Sequence, residues 1–130
     1  MFDVIIMAYS SVQPRKQRRA RENAPLHVRR KMMHLHASKE LRAKLGTKRR
    51  ALLVHKGDKV RLRKGDKAGH VGAVMEVDYV NLKVYVEGLT HKKARGTEKL
   101  RVIQPSNLEI VEGDFSGKDR AAMLARSKKN

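Results

Sequence analysis

The chain has 130 residues, enough for about one small domain with extensions, and its 31 Lys and Arg against 13 Asp and Glu leave a formal net charge of +18. A compact chain so charged repels itself and attracts polyanions, so nucleic acid is the expected partner, ahead of an acidic membrane surface or an acidic protein. The absence of cysteine excludes disulfides and thiolate metal sites, and an aromatic content of 4% with no tryptophan argues against a platform of stacked bases, so binding should rest on phosphates and shape.

The charge is uneven along the chain. Residues 1–50 carry 14 Lys and Arg against 3 acids, residues 51–112 carry 12 against 8, and residues 113–130 carry 5 against 2. The middle is balanced like an ordinary globular core, and the first part reads as a basic extension. The organisation expected is therefore an N-terminal extension with two short helices over 1–50, a β domain over 51–112 and a helical tail over 113–130.

In chain order, the apolar patch Val4 to Met7 is too short to span a bilayer and lacks the basic lead of a signal peptide, so no membrane insertion is expected. Met7 is a candidate initiator. Residues 13–21 (QPRKQRRAR) hold no apolar residue larger than alanine, so this arm is expected to be disordered alone and to order against phosphates. Residues 23–33 read as a short helix with Asn23 or Ala24 as cap and Pro25 in the first turn. A second helix is expected over 38–45, with Ser38 as N-cap, Glu40 near the positive helix end and Gly46 as the stop. Between them His34 and His36 form His-x-His; on a helix they would point to different sides, and no third ligand of suitable spacing follows, so no metal is expected.

From Ala51 the apolar period changes to two. Strands are expected over 58–64, 71–77, 81–87, 101–103 and 108–111, the third with Leu82, Val84 and Val86 on one face. Short strands joined by short turns point to a small antiparallel barrel, so the fold class is mainly β. The tail over 118–127 favours helix, with Asp119 near its start and Arg126 near its end; Met123 and Leu124 are its only large apolar residues, and it is expected to lie on another surface. No Ser-His-Asp or paired-carboxylate arrangement is suggested, so no enzyme activity and no cofactor are expected.

The stretch RLRKGDKAGHVGAVMEV, residues 61–77, concentrates the chemistry. Gly65 and Gly69 allow a turn at positive φ. Gly72 inside a strand marks a bulge or the close approach of another backbone. Arg63, Lys64, Lys67 and His70 surround that exposed backbone, so a phosphate chain would find both amide donors and cations there. The remaining candidate nucleic-acid contacts are Arg15, Lys16, Arg18, Arg19 and Arg21 in the arm; Arg29, Arg30 and Lys31 on the first helix; Lys48, Arg49 and Arg50 after the second; and Lys92, Lys93 and Arg95 in the long loop after the third strand.

The spacing Gly65-x-x-x-Gly69-x-x-Gly72-x-Val74-x-x-Val77 resembles the KOW motif of ribosomal proteins and of transcription elongation factors. The flanks at 13–19, 24–27, 85–88 (YVEG), 105–107 (PSN) and 118–120 (KDR) extend the resemblance over residues 11–128, to the archaeal and eukaryotic form of one family. This is the KOW-containing large-subunit ribosomal protein called L twenty-four in bacteria and archaea and L twenty-six in eukaryotes. The resemblance implies an SH3-like barrel that binds large-subunit rRNA near its 5′ region, beside the polypeptide exit tunnel, in the cytoplasmic ribosome among neighbouring ribosomal proteins, with an early role in subunit assembly. The family usually has Lys-Gly where this chain has Ala68-Gly69; Lys67 is expected to serve instead. The short tail favours an archaeal source. The alternative is a KOW-domain transcription elongation or coupling factor, which normally carries a separate α/β domain that residues 1–50 cannot supply.

Overall fold

The first described element is a helix. In the computed structural model of the protein, which describes residues 11–128, α1 spans Pro14–Glu22. The expectation of a disordered arm is corrected here. Pro14 occupies the first turn, where its missing N–H costs nothing, and the rest are Arg, Lys, Gln, Ala and Glu, all good helix formers. Low apolarity argues for disorder, yet helix propensity does not require a buried face, and α1 buries no residue. The expectations for Val4 to Met7 and for Met7 as initiator lie outside the described residues.

The next helix, α2 (Leu26–Met32), starts later than the sequence suggests: Pro25 is its N-cap, and Asn23 ends α1. The chain then passes through Met33, fully buried, into β1 (His34–Ala37). His34 and His36 are therefore on a strand, on the face opposite the buried Leu35 and Ala37, and not on a helix. Four residues of alternation are too few to distinguish from a helix end by pattern. Helix α3 (Lys39–Leu45) forms as its caps require: the Ser38 hydroxyl accepts from the Leu41 amide at 3.1 Å, and Gly46 sits in the left-handed region with φ +61°.

Six further strands follow: β2 (Ala51–Leu53), β3 (Lys59–Leu62), β4 (Val71–Asp78), β5 (Lys83–Lys92), β6 (Glu98–Ile103) and β7 (Leu108–Glu112). They and β1 form one seven-stranded sheet in the order β2-β1-β7-β3-β4-β5-β6. All pairings are antiparallel except β1 with β7, which run parallel. The mainly-β expectation holds; β1, β2 and the parallel pair go beyond the five antiparallel strands expected. Leu82, Val84 and Val86 point into the core as their alternation requires, together with Leu35, Leu52, Val60, Leu108 and Ile110.

The C-terminal helix α4 (Lys118–Lys128) packs on this same sheet and not on another surface. Met123 and Leu124 are buried in the common core, and Arg120 is only 4% exposed. Arg120 makes a two-pronged ion pair with Asp58: Nη1 donates to Oδ1 at 2.9 Å and Nη2 donates to Oδ2. The same guanidinium donates to the carbonyls of Asp114 and Leu53, both at 2.8 Å, and lies over the Phe115 ring, 4.6 Å from its centroid. Asp58 also accepts from the His55 amide at 2.9 Å. A buried charge is tolerated only when paired and hydrogen-bonded, and both conditions are met.

Candidate nucleic-acid interface

The glycine hairpin joins β3 to β4. Gly65 and Gly69 have φ of +108° and +91°, as the turn requires, and a Cβ on Gly72 would lie 2.6 Å from the Glu87 carbonyl oxygen, so β5 does approach closely. The base of the loop is pinned by Leu62 N–H to the His70 carbonyl at 2.9 Å, Gly69 N–H to the Leu62 carbonyl at 2.7 Å, and Arg63 N–H to the Asn107 carbonyl at 2.8 Å. Between these pins, and among the described residues, the amides of Lys64, Gly65, Asp66 and Lys67 donate to no backbone carbonyl. A run of amides without backbone partners beside exposed Arg63, Lys64 and Lys67 is an arrangement chemically suited to an anion. His70 differs from its neighbours: its Nε2–H donates to the Glu87 carbonyl at 2.9 Å, so the ring braces β4 against β5.

Arg15, Lys16, Arg18, Arg19 and Arg21 are all exposed on α1, and Arg30 and Lys31 are exposed on α2. Arg29 is half-buried and occupied. Its Nη1 donates to the Val80 carbonyl at 2.8 Å and its Nη2 donates to the Glu22 carbonyl at the end of α1. It thereby caps α1 and ties both helices to the β4–β5 turn. That turn is built to receive it: the Asp78 carboxylate accepts from the Asn81 side chain at 2.7 Å and from the amides of Val80 and Asn81, which holds its pKa below the usual carboxylate value. Arg18 and Arg21 line the resulting groove of about 510 Å³ with Arg29 and Val80.

Lys48, Arg49 and Arg50 are exposed on the segment leading into β2. Lys92, Lys93 and Arg95 are not in a long loose loop. Lys92 ends β5, and Lys93 and Arg95 sit in a closed hairpin turn, where Lys93 N–H donates to the Thr97 carbonyl at 2.9 Å. The Lys93 ammonium faces that of Lys99, and this contact lowers its pKa. Two like charges held together favour an anion between them. Among the described residues the ion pairs are Lys59–Glu112, Arg61–Glu109 and Arg120–Asp58, and none of the candidate RNA contacts takes part in one.

The family model describing eukaryotic ribosomal proteins L26 and archaeal ribosomal proteins L24 matches residues 11–127. The chain is also 44% identical over 116 residues to the large ribosomal subunit protein uL24 of Methanothrix thermoacetophila, covering 89% of this chain and 98% of that protein. The chain belongs to this ribosomal protein family. It is of the archaeal type.

The flanking motifs that carry the family resemblance now have physical roles. Asn107 accepts from Arg63 and pins the glycine hairpin. Glu87 and Gly88 form the wall against which Gly72 and His70 pack; Gly88 has φ +81°, and a Cβ there would meet the His70 ring at 2.8 Å. Arg120 of the 118–120 motif is the buried half of the Asp58 pair. The position of Ala68 is an exposed turn whose N–H donates to the Gly65 carbonyl at 3.2 Å, and exposed Lys67 stands beside it. Sequence reasoning passed over Lys99, which is brought to Lys93 by the β5–β6 pairing, and Arg101, which shares a groove of about 430 Å³ with Lys64, Gly65 and Asp66. Strand alternation of basic residues toward the end of the β domain was the only available signal for both.

Proposed function

We propose that the protein is a structural, non-catalytic constituent of the large ribosomal subunit that binds large-subunit rRNA by neutralising phosphates. Family membership supports the subunit assignment. The observation that carries the mechanism is the separation of charge: the candidate contacts on α1, α2, the 48–50 segment and the two hairpins are free of ion pairs among the described residues, whereas Lys59 and Arg61 on β3 are matched by the acids Glu112 and Glu109 of β7. Unmatched cations held on defined elements present a charge pattern to which a folded RNA backbone can fit. Docking near the 5′ region of the rRNA, beside the exit tunnel, and an early role in assembly are part of the proposal and rest on the family resemblance. The reading as a transcription factor has no observation in its favour: the family match runs through both flanks of the glycine hairpin.

The test is sedimentation followed by titration. The protein should co-migrate stoichiometrically with the large subunit after a high-salt wash. If about 6–10 phosphates are neutralised, affinity for the isolated 5′ rRNA domain should fall on the order of 10³–10⁵-fold between 50 and 200 mM salt. Recovery free of particles, or an affinity indifferent to salt, overturns the reading.

A further inference from the structure

Helix α4 and the segment before β2 enclose a groove of about 870 Å³. Lys31 from the end of α2, Arg49 from the 48–50 segment and Arg126 from α4 line it, over a floor that includes Leu53 and Met123. The three cations are exposed, and among the described residues none forms an ion pair. Asp119 is the one carboxylate on the lining. We infer that this groove extends the RNA-binding surface onto α4, which supplies Arg126 and with Lys31 and Arg49 holds a phosphodiester backbone. The inference rests on the rRNA-binding reading and extends it to a helix whose sequence pattern suggested only packing.

The groove is preformed. Arg120 locks the start of α4 to Asp58. At the other end the Ser127 and Thr47 hydroxyls are hydrogen-bonded at 2.6 Å, and Lys128 lies over Gly46. Cations fixed on an element tied at both ends lose little freedom on binding, which lowers the cost of ordering. The lining also discriminates between polyanions. An acidic helix would need an apolar stripe to bury its own, yet Met123 is 8% exposed and Leu53 is half-buried, so little apolar surface is on offer. A phosphate chain needs only the cations.

The experiment uses the full chain and a transcript of the 5′ domain of large-subunit rRNA. Binding is measured across a salt series for the wild type, Arg126→Gln, a Lys31→Gln/Arg49→Gln pair, a Lys16→Gln/Arg19→Gln pair on α1, and Lys59→Gln as a control on the ion-paired face. Arg126→Gln should weaken binding about threefold to tenfold and reduce the salt slope by about one, with Lys59→Gln at wild-type affinity. If Arg126→Gln and the Lys31/Arg49 pair both match the wild type while the α1 pair weakens binding, the groove is overturned and the rRNA reading stands. If the wild type does not bind, both fall. Because the chain has no cysteine, Ala125→Cys on the exposed side of α4 can carry a tethered hydroxyl-radical source into assembled subunits. Cleavage of adjacent rRNA supports the groove; no cleavage, or labelling of a neighbouring protein alone, overturns it.

Discussion

Two faces of this molecule treat charge in opposite ways. Along β3 and β7 every exposed cation has an acid beside it: Lys59 Nζ lies 2.9 Å from Glu112 and Arg61 Nη2 lies 2.5 Å from Glu109. These contacts hold the Glu112 carboxyl below its ordinary pKa and raise that of Arg61. On α1, α2 and the hairpin loops the cations form no ion pair among the described residues. The first face spends its charge within the fold, where exposed pairs contribute little stability and mainly balance the surface. The second leaves its charge unmatched within the fold, as the proposed RNA contact requires. The buried Asp58–Arg120 pair is a third case, in which charge determines where an element docks.

That contrast can be broken most severely at the buried pair. Asp58→Ala would leave the Arg120 guanidinium buried without its partner, and unfolding in urea should show a loss of about 3–5 kcal/mol, with α4 released. A loss no larger than that of a surface substitution would mean that α4 is held by Met123 and Leu124 alone. A smaller effect is expected where β5 approaches the KOW strand. Gly72→Ala puts a methyl 2.6 Å from a backbone oxygen that cannot swing away, at a cost of about 1–3 kcal/mol, and by moving the hairpin it should also weaken RNA binding. Gly57→Ala, where nothing lies within 4 Å, tests backbone strain without crowding, because φ there is +92°.

The smallest effect sharpens the electrostatic side. His55 lies next to the buried pair, and desolvation, followed by the positive charge of Arg120, lowers its pKa below the ordinary 6.5. On acidification the unfolded chain therefore takes up this proton before the folded one does. The His55 contribution is absent well above pH 6.5 and destabilises progressively as pH falls through 6.5 towards the folded value. His55→Asn should flatten that part of a stability-against-pH curve, and an unchanged curve would show that the imidazole is not coupled to the pair.

Local features of the fold were legible in the residues. Ser38 and Gly46 bound α3 because a hydroxyl reaches the Leu41 amide and a glycine alone accepts φ of +61° at low cost; both effects act within a few residues. The positive φ of Gly65 and Gly69 and the close approach at Gly72 were likewise readable from the motif. The helix of the basic arm was not, because low apolarity was taken as the deciding signal and the clamp from Arg29 to Val80, 51 residues away, is invisible in a window. Arg29 itself illustrates the limit at the candidate site: its type and neighbours mark it as an RNA contact, while both terminal nitrogens are engaged inside the protein.

The sequence by itself determined the class of partner, the mainly-β character and the places where the chain turns, since net charge, alternation and glycine act through composition and short-range sterics. Only the tertiary structure decided that β1 enters the sheet parallel to β7, that residues 58 and 120 meet across 62 positions, and that Arg126 joins Lys31 and Arg49 around one groove. Those outcomes depend on which buried surfaces and charges satisfy one another at long range, a choice made by the folded chain as a whole and written in no single stretch of it.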